Sequence, residues 1–124
     1  MGKIALGFAA ALSAFIGFSS VGYCAEQIDS IKAPFHVNET LMVCGQVAEV
    51  TSQPKRTLLN LGNPYPKEHV SVLIWKSDLQ PFTEKFGDLS ILKNRRVCSQ
   101  GKIHQYKDHL FITVKNPSLL RLMK

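Results

Sequence analysis

Residues 69–75 read HVSVLIW, and immediately after them the pattern changes period. Val70, Val72 and Ile74 fall on one side of an extended chain, with Ser71, Leu73 and Trp75 on the other. That two-residue alternation is the signature of a strand. In the following SDLQPFTEKFGDLSILKN, Leu79, Phe82 and Phe86 recur at helical spacing. Ser77 or Asp78 can cap this helix, Pro81 sits in its first turn where a missing N–H is tolerated, and Gly87 ends it. One short helix set among strands narrows the choice of fold more than any other feature of the chain.

The remaining strand signals surround it. LMVCGQVAEV (41–50) places Val43, Val47 and Leu41 on one face, and TLLNL (57–61) forms a second short run. RRVCSQGKIH (95–104) sets Val97 and Ile103 on one face with Gly101 between them, and LFITV (110–114) turns Leu110, Ile112 and Val114 inward. TSQPKR is a turn, GNPYPKE a loop with two prolines, and QYKDH a tight connection. KNPSLLRLMK closes the chain as a short helix or an extended tail. This gives five strands, with the helix between the third and fourth. Small β-proteins close such a sheet to remove its edges. The expected fold is therefore all-β with one helix, a five-stranded Greek-key barrel of the OB type; an open α+β sheet is the alternative.

The first 24 residues read as a signal peptide. Lys3 supplies the positive start, IALGFAAALSAFIGF (4–18) is an apolar run, and a stretch of small residues follows. The run is shorter than the roughly 20 apolar residues of a spanning helix, so no stable transmembrane anchor is expected. Cleavage fits after Gly22 or after Cys24. VGYC also resembles a lipoprotein box, but Tyr23 stands where Gly, Ala or Ser is expected, which argues against acylation of Cys24. Residues 25–40, with Pro34, are expected to lead in to a single domain over 41–122. The formal net charge of +6 survives loss of the leader almost intact. Such a surplus favours polyanions in general without selecting one.

Two cysteines, Cys44 and Cys98, sit inside strand runs of the mature chain. In an OB barrel the first strand pairs with the fourth. Val43, Val47 and Val97 point to the core, so both thiols lie on the opposite face of neighbouring strands. A Cys44–Cys98 disulfide is expected, and it suits an oxidising, exported location, here the periplasm. It would close a loop of about 55 residues, worth about 4 kcal/mol on the chain-entropy account. Nothing resembles a C-x-x-C redox pair.

VCGQVAEV, TLLNLGNPYPKEHVSVLIW and VCSQGKIHQYKDHLFITVKNPSLL together resemble a family of small exported bacterial OB-fold domains. Its pattern runs C-G-K-V, then L-N-x-G-x-x-Y-P, then V-C-x-x-G-K-I-x-x-Y and an N-P-S tail. The likeness covers roughly residues 37–122 and rests on Cys44, Gly45, Asn60, Gly62, Tyr65, Pro66, Trp75, Cys98, Gly101, Ile103, Tyr106, Asn116, Pro117 and Ser118. Asp108 and Leu110 depart from it, where glycine and proline are expected. The resemblance implies the fold; by analogy it also suggests binding of nucleic acid or oligosaccharide.

Signals for catalysis are absent from the sequence. No D-x-D or comparable pair sets two carboxylates on one strand face, and no G-x-S-x-G elbow occurs. His36, His69, His104 and His109 lack the spacing of a metal set. No enzyme activity, cofactor or metal is expected. OB barrels bind on the face of strands two and three, with the loops joining strands one–two and four–five. On that basis the candidate ligand-binding residues are Lys55, Arg56, Tyr65, Lys67, Trp75, Lys102, Tyr106 and Lys107. The function expected is a non-catalytic binding or interaction module of the periplasm whose ligand the sequence does not name, with a periplasmic or envelope protein and a polyanion both open as partners. The alternative is a binder of single-stranded nucleic acid or another polyanion, such as a glycan.

Overall fold

A computed structural model of the chain describes residues 26–123. The expected leader, its cleavage positions and Cys24 lie outside the described residues. The strands are β1 (Gln27–Asp29), β2 (Thr40–Ser52), β3 (Arg56–Leu61), β4 (Val70–Trp75), β5 (Arg96–Tyr106), β6 (His109–Thr113) and β7 (Leu120–Met123), and the helix is α1 (Leu79–Phe86). β2 pairs antiparallel with β3 and β3 with β4. β4 runs parallel to β6, β6 antiparallel to β5, and β5 returns to β2. The circuit closes, and the fold is the five-stranded OB barrel. α1 lies between β4 and β5, which are the third and fourth strands of the barrel.

The alternation read in the sequence is what fills this barrel. Val43, Val47, Leu59, Leu61, Val70, Val72, Ile74, Val97, Ile103, Ile112 and Val114 are all fully buried in one core. α1 closes one end with Phe82, also fully buried, while Leu79 and Phe86 pack half-buried beside it. Asp78 is the N-cap residue but makes no side-chain cap bond, and Gly87 ends the helix at φ 81°. A turn of 3-10 helix at Leu89–Leu92 adds Leu89 and Leu92 to the same core. Its cap is Asp88, whose carboxylate accepts from the Ser90 N–H; that bond holds the Asp88 carboxyl below its ordinary value.

Among the described residues seven strands are present where five were expected, because both flanking segments add one. β1 runs parallel to β2, and β7 antiparallel to β5, widening the seam of the barrel to the order β1-β2-β5-β7. Between β1 and β2, a 3-10 segment (Ser30–His36) buries Ser30 and Ala33 against the barrel, so packed structure begins well before residue 41. At the other end, Asn116 caps a turn at Pro117–Leu119, and the tail, expected as a short helix or an extended segment, is extended as β7. Leu120 is buried there, Leu119 half-buried, and Leu122 is left exposed at the surface.

Cys44 and Cys98 are paired directly across β2 and β5, and they are disulfide-bonded. Both are buried, and their neighbours Val43 and Val97 point into the core. The cross-link therefore sits on the outside of the barrel seam. Among the described residues no helix is long and apolar enough to cross a membrane.

Candidate ligand-binding cleft

A register shift in β2 creates the site. Val47 opposes Leu61, but Glu49 already opposes Asn60, so one extra residue is accommodated between them. Strict alternation would put Glu49 on the same side as the buried Val47. The bulge instead turns Val50 toward the core and leaves Glu49 and Thr51 on the outer face. Glu49 then lies in a row with Asn60 of β3, Ser71 of β4 and Phe111 of β6. The next row brings Thr51, Leu58, Leu73 and Thr113 together, and Leu58, Leu73 and Phe111 form a small apolar cluster outside the main core.

Over these rows opens a cleft of about 420 Å³. β3, the long loop between β3 and β4, the β5–β6 hairpin and the outer half of β2 supply its walls. Asn60 Nδ2 donates to Glu49 Oε1 at 2.8 Å, and Ser71 Oγ donates to Asn60 Oδ1 at 2.6 Å. These two bonds fix the orientation of the Asn60 amide. The Tyr65 N–H adds a third bond to Glu49 Oε1 at 3.0 Å, tying the loop to the strand. Donation by that N–H, then by the Asn60 amide, holds the Glu49 carboxyl below its ordinary value against the opposing effect of desolvation.

The opposite wall is built on Glu68 and His109. His109 Nδ1 lies 2.5 Å from Glu68 Oε2, and the Glu68 side chain is 2% exposed. Glu68 Oε1 is buried with no hydrogen-bond partner among the described residues. The Tyr65 ring stacks on the His109 ring with centroids 5.1 Å apart, yet Tyr65 itself remains 65% exposed. Arg56 lies across the apolar floor, its Nε on Gln53 Oε1 at 2.8 Å and its guanidinium 5.8 Å from the centre of the Phe111 ring. Lys107, at positive φ in the hairpin turn, lies over the Tyr106 ring at 5.5 Å.

The loop between β3 and β4 owes its path to Gly62. Its φ is +90°, and a Cβ there would meet the His69 ring at 2.2 Å. His69 in turn shares a 2.8 Å hydrogen bond with the buried Ser30, clamping the loop to the segment before β2.

Of the residues expected at a ligand surface, Arg56, Tyr65, Tyr106 and Lys107 line this cleft together. Lys55 and Trp75 line a separate, open groove with Gln53, Pro54 and Arg56 at the β2–β3 turn. Lys67 and Lys102 line neither. Glu49, Asn60, Glu68, Ser71, His109 and Phe111 belong to the cleft, although the sequence reading did not select them. Trp75, paired with Arg56, was one signal that the outer face of β3 and β4 carries large side chains. No sequence signal marks Glu68 and His109 as partners, 41 residues apart.

No protein-family model matches the chain, and no curated protein sequence matches it. Among solved structures it is similar to an OBody, AM1L10, bound to hen egg-white lysozyme, with 19% identity, a TM-score of 0.57 and coverage of 85% of this chain and 99% of that one. It is similar to an aspartyl-tRNA synthetase from Entamoeba histolytica, with 13% identity, a TM-score of 0.55 and 79% of this chain covered. It is also similar to the Stn1–Ten1 complex of S. pombe, with 13% identity and a TM-score of 0.52 over 68% of this chain. The chain spans 21% of the synthetase chain and 58% of the Stn1–Ten1 chain. At these identities the likeness defines the fold: the chain is an OB-fold protein.

Proposed function

We propose that the chain is a non-catalytic binding module of an exported compartment, the periplasm, and that it takes a protein partner in the cleft over β3, β4 and β6. The observation that carries this reading is the coincidence of two things. The cleft lies on the face that OB barrels use for ligands, and its floor is an ordered polar network, Glu49–Asn60–Ser71, beside an apolar cluster. The buried disulfide fits an oxidising location. The similar OBody is bound to a protein, which supports that class of partner.

A second reading, binding of a polyanion such as single-stranded nucleic acid, is favoured by Arg56, Lys107 and the exposed rings of Tyr65 and Tyr106. The two carboxylates in the cleft weigh against it. One experiment separates the two. A photoreactive residue is placed at Tyr106 in exporting cells, and the purified protein is run on heparin and single-stranded DNA columns. The protein-partner reading expects a discrete protein adduct and little retention at low salt. Salt-dependent retention that disappears when Lys55, Arg56 and Lys107 are replaced by alanine, without a protein adduct, would establish the polyanion reading instead.

A further inference from the structure

We infer that the cleft receives a basic side chain, a lysine ammonium or an arginine guanidinium, from a peptide segment of the partner. This deepens the proposed function and rests on it. The chain carries 15 lysines and arginines, yet among the described residues none forms an ion pair with either carboxylate of the cleft. Its own cleft cations lie over aromatic rings instead: Arg56 over Phe111, and Lys107 over Tyr106.

Among the described residues, one buried carboxylate oxygen is left without a donor, and a second, open to water, carries no hydrogen bond from the protein. Both hydrogen bonds to Glu49 land on Oε1, so Oε2 remains for another group. On the other wall, Glu68 is bonded through Oε2 alone, and its buried Oε1 has no partner. A buried carboxylate oxygen left unsatisfied is costly, and a ligand that supplies a donor recovers that cost.

A cationic donor adds charge attraction to the two carboxylates, which Arg56 and Lys107 do not bond, and offers several N–H groups. Ammonium has three and guanidinium five. Leu58 and Phe111 provide an apolar floor for the methylene stem of a lysine or arginine, which a charged amino sugar lacks. The exposed Tyr65 ring, stacked on His109, stands at the same wall of the cleft as Glu68.

The test is a titration of the purified, oxidised protein followed by amide NMR. The probes are capped Ala-Arg-Ala, Ala-Lys-Ala and the neutral isostere Ala-citrulline-Ala. A glucosamine tetramer, a neutral glucose tetramer and an eight-residue oligothymidylate are titrated in parallel. The arginine and lysine peptides are expected to shift the amides of Tyr65, Glu68 and His109 with millimolar affinity. The citrulline peptide should bind at least tenfold more weakly. Glu68→Gln and Glu49→Gln, each checked for a native spectrum, should each weaken the arginine peptide at least tenfold, and Glu84→Gln on the outer side of α1 should not.

Equal binding of the citrulline peptide, or no shift at the cleft with either basic peptide, overturns the inference. Preference for the glucosamine tetramer overturns the assignment to a peptide. Binding of the neutral glucose tetramer alone refutes the cationic ligand while leaving the cleft a binding site. Binding of the oligothymidylate there refutes both this inference and the protein-partner reading.

Discussion

At the scale of single residues, two glycines at positive φ make opposite demands. At Gly62, φ is +90° and an added Cβ would strike the His69 ring; at Gly87, φ is +81° and nothing lies within 4 Å. Gly62→Ala therefore adds a clash to the backbone strain and breaks the clamp between His69 and Ser30. It is expected to lower stability by about 2–4 kcal/mol, read as a drop in urea midpoint. Gly87→Ala meets strain alone and should cost about 1 kcal/mol. Glu49 makes a pH prediction. Its carboxyl titrates lower in the folded chain than its ordinary value of 4.5, so the folded state prefers the ionised form. That stabilisation is complete above the unfolded value and is lost as pH falls through the lower folded value. Glu49→Gln should therefore be less stable than the parent at pH 7, and the difference should shrink steadily below about pH 4.5. Unfolding curves that differ equally at pH 7 and pH 3 would exclude this role.

At the scale of elements, the barrel strands were readable because each buries one face, and a one-sided strand writes its register into the sequence. Alternation alone puts Val70, Val72 and Ile74 on one face, and all three are fully buried in the barrel core. The cleft was less readable because a bulge breaks the rule that made the strands legible. Alternation from Val47 assigns Glu49 to the core, and only the extra residue in β2 turns it outward. β1 and β7 are illegible for another reason: three- and four-residue strands recruited by a neighbour have no period to read. The helix was legible from Leu79, Phe82 and Phe86, and the structure ranks them. Phe82 closes the barrel end at 0% exposure, so Phe82→Ala should cost about 3–5 kcal/mol. Phe86 is only half-buried and its ring lies beside Lys85 Nζ at 5.0 Å, so Phe86→Ala should cost clearly less. Equal urea midpoints for the two variants would show that α1 does not seal the barrel through Phe82.

For the whole molecule, the question is how a barrel of fewer than one hundred described residues keeps its seam closed. The β2–β5 pairing completes the circuit, and it joins segments far apart in the chain; such non-local pairing carries a large loop-closure entropy. Cys44 and Cys98 lie opposite each other in that seam, with 54 residues of separation. The bond encloses β3, β4 and α1, so in the unfolded chain it removes much of the entropy that closing the seam would cost. For a loop of that length the gain is about 4 kcal/mol, a large share of the 5–15 kcal/mol that holds a typical domain together. Neither cysteine lines the cleft, so the cross-link holds the ligand face together without taking part in binding. The oxidised protein should have an intact mass two hydrogens below the reduced value, with neither Cys44 nor Cys98 reacting as a thiol under native conditions. Cys44→Ala/Cys98→Ala should lower the urea midpoint by an amount equivalent to about 2–5 kcal/mol and leave the slope of cleft titrations unchanged wherever the variant is folded. Two reactive thiols in the exported protein, or a variant as stable as the parent, would show that the seam is held by strand pairing alone.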